Sequence, residues 1–310
     1  MKSPRLGMLL PVLVFVTLMS LSTAAHNAIA ADRLPTQLYL VGVGAGDPDL
    51  ATIRAINVMK KADLVFCTDG IKEKFSEYLQ GKEVVGGYWR LFPFYGQEPS
   101  NLPPEQRREA EQLAGKRADF VGKVRKAIGD GKTVAILDNG DPLIYGPWEW
   151  CLEEFEDLHP QVIPGVSSFN AGNAALRKGA TTSDKTKAVI LSSTDWPGKT
   201  DTIEKLSRHR SSMVLFTMRA EFPDFIKKLS VNYPPETPVA IVKYAGYADK
   251  EEVIRGMLGT IVEQVREERL PFEYLIYVGD FLNHRYKKGK AAASGHEARG
   301  EQRPKSTSTE

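Results

Sequence analysis

The chain has 310 residues, enough for two compact domains, with 42% hydrophobic and 26% charged residues, the balance of a globular protein. Its two cysteines (Cys67, Cys151) and five scattered histidines exclude a disulfide framework, a zinc cluster and a haem attachment motif, so no metal site is expected. The formal net charge is +2, but residues 1–30 hold two basic and no acidic residues and residues 284–310 hold seven basic against three acidic; the remaining body, 31–283, is net negative and a poor partner for nucleic-acid phosphates.

The N-terminus opens with Lys2 and Arg5, continues as the uncharged run Met8 to Leu21 and reaches the small-x-small sequence Ala28-Ile29-Ala30. These parts in this order read as a secretory signal peptide over residues 1–30, shorter in its apolar run than the ~20 residues of a spanning helix. The expectation is an exported protein in a bacterial periplasm, with no stable membrane span after cleavage; an uncleaved anchor to the inner membrane is the alternative.

Short β-rich runs follow at Leu38–Val43, Leu64–Cys67, Val134–Leu137, Val189–Leu191, Val214–Thr217, Val239–Val242 and Tyr274–Val278. Helical periodicity lies between them at Ala51–Lys61, Phe120–Ile128, Phe222–Leu229 and Glu252–Arg266. Strands alternating with helices predict an α/β protein of two α/β/α domains with mainly parallel sheets and a ligand cleft between them. The polar stretch 178–187 marks the boundary, giving domains at 35–178 and 184–283, an irregular insertion at 86–117 and a disordered polar tail at 284–310.

Three strand-to-helix turns carry chemistry. The first, Val41-Gly42-Val43-Gly44-Ala45-Gly46-Asp47-Pro48, has glycines that permit a tight turn and close approach to a ligand. Read alone it is also an ordinary positive-φ turn, or a degraded dinucleotide loop. Against that last reading, Asp47 stands where the fingerprint needs its third glycine, although Asp69 lies where a ribose-binding acid would sit. The second turn is Asp138-Asn139-Gly140-Asp141-Pro142 and the third Pro164-Gly165-Val166-Ser167-Ser168; each is compatible with plain turn or helix-cap chemistry.

Taken together, the three turns resemble the signatures of the tetrapyrrole (corrin/porphyrin) methylases. The segment VGVGAGDPDLATIRAINVMKKADLVFCTD resembles the family's opening, with Ala45 in place of its usual proline. NGDPLIYG and VIPGVSS resemble the second and third signatures. More loosely, MVLFTM resembles a family strand ending in Met218, and PVAIVKYA the strand and loop that end at Ala245. The resemblance spans roughly residues 37–281. It implies S-adenosyl-L-methionine as methyl donor, held by Gly44, Ala45, Gly46, Asp47, Asn139, Gly140, Asp141, Ile144, Ser167, Ser168, Met218 and Ala245. It also implies a small tetrapyrrole-like substrate and a homodimer.

The substrate side departs from the family. Uroporphyrinogen methylases carry an acid directly at the end of the second strand; here Thr68 fills that place and Asp69, the candidate for proton transfer, stands one residue later. The basic residue expected near Gly86 is absent, and Lys178–Ser183 replaces the usual G-x-P-x-T-H-R run. Tyr88, Trp89, Phe92, Phe94 and Tyr95 are available either to face a flat macrocycle or to pack the insertion down. Two functions follow: an active tetrapyrrole methyltransferase, or an exported binding protein that kept the methylase fold and lost the reaction.

Overall fold

The computed structural model describes residues 36–217, 222–265 and 270–286. The expected signal segment, Met218 and most of the polar tail lie outside them.

In chain order the elements are β1 (Leu38–Gly42), α1 (Ile53–Lys61), β2 (Leu64–Phe66), α2 (Asp69–Lys74), α3 (Ser76–Leu79), β3 (Glu83–Val85), α4 (Pro104–Gly129), β4 (Val134–Asp138), α5 (Trp150–Glu154), β5 (Gln161–Ile163) and α6 (Ser168–Leu176). The second half contains β6 (Val189–Ser193), α7 (Ile203–Ser207), β7 (Ser212–Phe216), α8 (Phe222–Leu229), β8 (Pro238–Lys243), β9 (Glu252–Met257), α9 (Ile261–Gln264) and β10 (Tyr274–Val278).

The first sheet has the order β3-β2-β4-β1-β5 and every pairing is parallel. Its central strands β1 and β4 are buried at every position, as parallel strands covered on both faces require. One face packs Tyr39, Val41, Val65 and Leu137 with Ala55, Val58 and Met59 of α1. The other packs Leu38, Leu40, Phe66 and Ile136 against Phe120, Trp148, Trp150 and Phe155. Cys67 belongs to the first cluster and Cys151 to the second, so the sheet separates two buried free thiols.

The second sheet, β6-β7-β10-β8-β9, keeps the α/β class but is mixed rather than mainly parallel: only β6–β7 is parallel, and β7–β10, β10–β8 and β8–β9 are antiparallel. Part of the difference lies in residues 252–257, expected to begin a helix. They form β9, an edge strand paired along its whole length with β8, and only Ile261–Gln264 of that segment is helical. Val253 and Ile254 favour a pleated surface, and the ladder to β8 outweighs a helical periodicity that rested on few residues.

A second correction concerns the insertion. Residues 104–117 are not irregular; they are the first half of α4, a 26-residue helix. Pro104 supplies a preset first-turn φ, and Glu, Gln, Arg and Ala extend the helix on propensity where apolar residues are sparse. The irregular part is confined to residues 86–103, apart from one 3-10 turn at Pro99–Asn101.

Residues 168–176, grouped with the first half by sequence, pack on the second sheet. The Tyr277 hydroxyl donates to Phe169 O at 2.9 Å, Arg255 donates to Leu176 O at 2.9 Å, and Leu176 joins the cluster of Val214, Ala240 and Tyr277. A Cβ on Gly172 would stand 2.2 Å from the Tyr277 hydroxyl, so the small-residue helix is what lets the ring approach.

Candidate functional site

All five parallel strands of the first sheet end on one edge, and the loops that leave β1, β4 and β5 are knitted to one another there. Val43 N donates to Asp138 O at 2.9 Å, Gly140 N to Gly44 O at 2.9 Å and Ala45 N to Val166 O at 2.9 Å. Gly165 is required at this junction: a Cβ there would fall 2.0 Å from Gly140 O and 2.8 Å from the carbonyl carbon of Gly42. Asp141 fastens two of the loops, accepting from Leu143 N at 2.9 Å and from Gly165 N at 3.2 Å. Ser167 caps α6 by accepting from Phe169 N.

The second sheet meets this edge through the turn after β8. Asp47 N donates to Gly246 O at 3.0 Å, and Asp47 Oδ2 accepts from Ala248 N at 2.8 Å. Gly46 has φ 82°, and a Cβ there would lie 2.1 Å from Gly246 O, so backbone meets backbone with no room for a side chain. Lys74 closes the same corner from α2, donating to Gly46 O at 2.7 Å and to the Tyr247 hydroxyl at 3.1 Å. Burial lowers its pKa, with Glu273 opposing. Farther along, the Tyr145 ring rests on Phe216, at the end of β7, with centroids 4.6 Å apart.

The sequence-derived residues therefore divide. Gly44, Ala45, Gly46, Asp47, Gly140, Asp141, Ser167 and Ser168 come together, with Ala245 on the facing turn. Within that group the backbone amides of Gly44, Ala45, Asp47 and Gly140, the carboxylates of Asp47 and Asp141 and the Ser167 hydroxyl already hold the loops and the two sheets together. Groups left open beside them are the exposed Asn139 side chain, the Ser168 hydroxyl, and the exposed apolar Leu143 and Ile144. Such a set fits a ligand with one flat apolar part and several hydroxyl or amino groups. Asp69 lies at the end of β2 on the same edge, in the first turn of α2, which Thr68 caps by accepting from Ile71 N. It is exposed, and its Oδ1 is 3.6 Å from where a Gly86 side chain would begin.

Sequence reading missed Lys74, Tyr247 and the Tyr145–Phe216 stack, since these contacts join residues far apart in the chain and leave no local pattern. It also passed over Asp138. This last residue of β4 is 4% exposed, and its Oδ2 has no hydrogen-bond partner among the described residues. Burial, with Asp141 adding to it and the Asn139 amide opposing, pushes its pKa up to about 7. An acid closing an otherwise apolar strand was the available signal.

Comparison with known proteins agrees with this geometry. The family model of the tetrapyrrole (corrin/porphyrin) methylases matches residues 37–262. The cobalt-precorrin-4 C(11)-methyltransferase of Methanocaldococcus jannaschii is 30% identical over 259 residues, covering 81% of this chain and 90% of that enzyme. The uroporphyrinogen-III C-methyltransferase of Cyanidium caldarium is 27% identical over 79% of this chain and 93% of its own. Among solved structures, a cobalt precorrin-4 methyltransferase shares the fold with a TM-score of 0.63 at 24% identity, over 79% of this chain and 95% of that one. A uroporphyrin-III C-methyltransferase of Thermus thermophilus complexed with S-adenyl homocysteine matches with a TM-score of 0.57 at 20% identity, over 80% of this chain and 99% of its own. The chain belongs to the tetrapyrrole (corrin/porphyrin) methylases.

Proposed function

We propose that this chain transfers a methyl group from S-adenosyl-L-methionine to a ring carbon of a tetrapyrrole precursor. The observation that carries the reading is the convergence of three glycine-bearing loops on one sheet edge, closed by the turn at 244–248. Names among the relatives narrow the acceptor: a cobalt-precorrin-4 C(11)-methyltransferase and a uroporphyrinogen-III C-methyltransferase both match over most of the chain, so cobalt-precorrin-4 and uroporphyrinogen III are the acceptors to assay first.

The donor, when bound, supplies an electrophilic methyl on a sulfonium. The chain's part is positioning and desolvation, which together can account for much of such a displacement. In this assignment Leu143 and Ile144 offer apolar surface to the donor's base. Asn139 and Ser168 offer its polar groups hydrogen bonds, and the backbone at Ala245 closes the far side. As the new carbon–carbon bond forms and the carbon–sulfur bond breaks, the ring must release a proton, and Asp69, an assigned carboxylate on that edge that is exposed and not engaged in bracing a loop, is the group assigned to accept it. The braced carboxylates of Asp47 and Asp141 act through the loops they hold.

Residues 1–30 are assigned to export and the mature chain to the periplasm, with a homodimer as its working state. N-terminal sequencing of protein from the periplasmic fraction checks the first assignment: an intact Met1 removes it. The activity is tested by calorimetric titration of S-adenosylmethionine and S-adenosylhomocysteine into the chain, with Asp141→Ala as control. Micromolar binding that weakens at least about tenfold in the variant is expected, since losing Asp141 frees two loop amides. Absence of binding to either compound overturns the assignment and favours a ligand-binding descendant of the family.

A further inference from the structure

The loop between β3 and α4 is rigidly built yet turns a cation outward. Leu91 is 1% exposed, and the buried Arg117 of α4 donates to Leu91 O at 2.7 Å, Pro93 O at 2.8 Å and Phe94 O at 3.5 Å. Tyr88 packs edge-on against Phe66 and hydrogen-bonds Asp119, while Tyr95 stacks on Trp150 and hydrogen-bonds Glu154. Of the aromatic residues in this loop, Tyr88 and Tyr95 are thus drawn in, and Phe94 is half-buried. Trp89 and Phe92 remain 38% and 45% exposed.

Between those two stands Arg90. Its guanidinium carbon is 5.9 Å from the Trp89 ring centroid and 5.8 Å from that of Phe92. Arg90 adopts φ 59°, a left-handed conformation unfavourable for a side-chain-bearing residue, and it pairs with no carboxylate among the described residues. A strained, unpaired arginine held between two exposed rings on a pinned loop is arranged for something outside the chain.

The loop's place in the fold says what. It leaves β3 at the same sheet edge as the donor loops, starts at Gly86 beside Asp69, and reaches Trp150 and Glu154 of α5, the helix that follows the second donor loop. β3 lies two strands from β4, roughly 10 Å across the sheet. Tetrapyrrole precursors are wide rings fringed with acetate and propionate arms. A planar guanidinium is the side chain that grips a carboxylate with two parallel hydrogen bonds, and rings beside it offer a face to a macrocycle. We infer that Trp89, Arg90 and Phe92 form an acceptor subsite, with Arg90 holding a peripheral carboxylate of the tetrapyrrole. This inference rests on the methyltransferase reading and names how the acceptor is held.

The test titrates uroporphyrin III, a stable polycarboxylate tetrapyrrole, and its fully esterified form into the full chain, following fluorescence, with S-adenosylhomocysteine calorimetry in parallel. Arg90→Gln is expected to weaken uroporphyrin III about tenfold and to leave S-adenosylhomocysteine affinity unchanged. Arg90→Lys should recover only part of the loss, because an ammonium cannot form the fork. The ester should bind wild type and Arg90→Gln alike. Equal uroporphyrin III affinity in wild type and Arg90→Gln overturns the subsite while leaving the methyltransferase reading intact, and a parallel loss of S-adenosylhomocysteine binding overturns it as a folding effect. Wild type that binds S-adenosylhomocysteine but no uroporphyrin III removes the tetrapyrrole acceptor and the subsite together.

Discussion

The first sheet reaches the seam through three turns whose shape depends on glycine, whereas the second reaches it through a single turn, with Gly246 at φ 87° beside Tyr247, and through the contact of Phe216 with the Tyr145 ring. At Gly46 and Gly165 an added Cβ would meet backbone oxygen at 2.1 and 2.0 Å, so the residue type is dictated atom by atom. Across the cleft, Tyr247 and Phe216 contribute rings and a hydroxyl that other side chains could approximate. Gly246 apart, the contrast separates a half in which chain geometry is encoded locally from a half in which it is encoded by packing, and variants can probe each side.

The largest effect is expected inside the first half, at Asp138. Its folded pKa of about 7 stands above the ordinary 3.8, so between pH 4 and 7 the native state keeps a proton that the unfolded chain releases. Stability from this group is therefore complete below about pH 4 and is lost as pH rises through 7. At about 1.4 kcal/mol per unit, the total reaches at most about 4 kcal/mol. Denaturant titrations of wild type and Asp138→Asn across pH 4–8 should diverge by an amount of this order, the variant lacking that slope. Parallel curves would mean that Asp138 finds a partner in solution.

Next comes Gly46→Ala, aimed at the seam itself. Both the positive φ and the contact with Gly246 O oppose it, and backbone on both sides leaves little to yield. A loss of about 3 kcal/mol is expected, seen as a fall in Tm, with donor binding reduced alongside. Gly122 on α4, whose added Cβ would meet nothing within 4 Å, is the control position, where alanine should stabilise slightly.

That pair of glycines also explains what the sequence could reveal. The turns at 42–48, 139–142 and 164–168 were legible because tight backbone contacts admit few residue types, and strand positions such as 134–137, buried on both faces, read as unbroken apolar runs. The second sheet was harder to read. Val253 and Ile254 fit a strand and a helical face equally, and only the long-range ladder to β8 decides between them. In the same way α4 begins at Pro104, sixteen residues before its apolar stripe becomes visible at Phe120, because charged helix formers fill its first turns. Within the site the roles of Asp47 and Asp141 were the least legible: their positions were evident from the turns, but not that their carboxylates would be occupied in bracing.

The smallest predicted effect tests the second half's share of the seam. Lys74 gives one hydrogen bond to each side, to Gly46 O in the 42–48 turn and to the Tyr247 hydroxyl in the facing turn, and its ammonium also lies 4.8 Å from the Tyr247 ring centroid. Replacing it by methionine keeps the apolar stem and removes the charge and the donors. Burial already disfavours the charge, as the lowered pKa records, so the net loss should be modest, about 1 kcal/mol. If the corner serves the proposed donor site, S-adenosylhomocysteine affinity should fall several-fold in Lys74→Met beside that modest loss of stability. The modest Tm loss with unchanged affinity would instead assign Lys74 to folding alone.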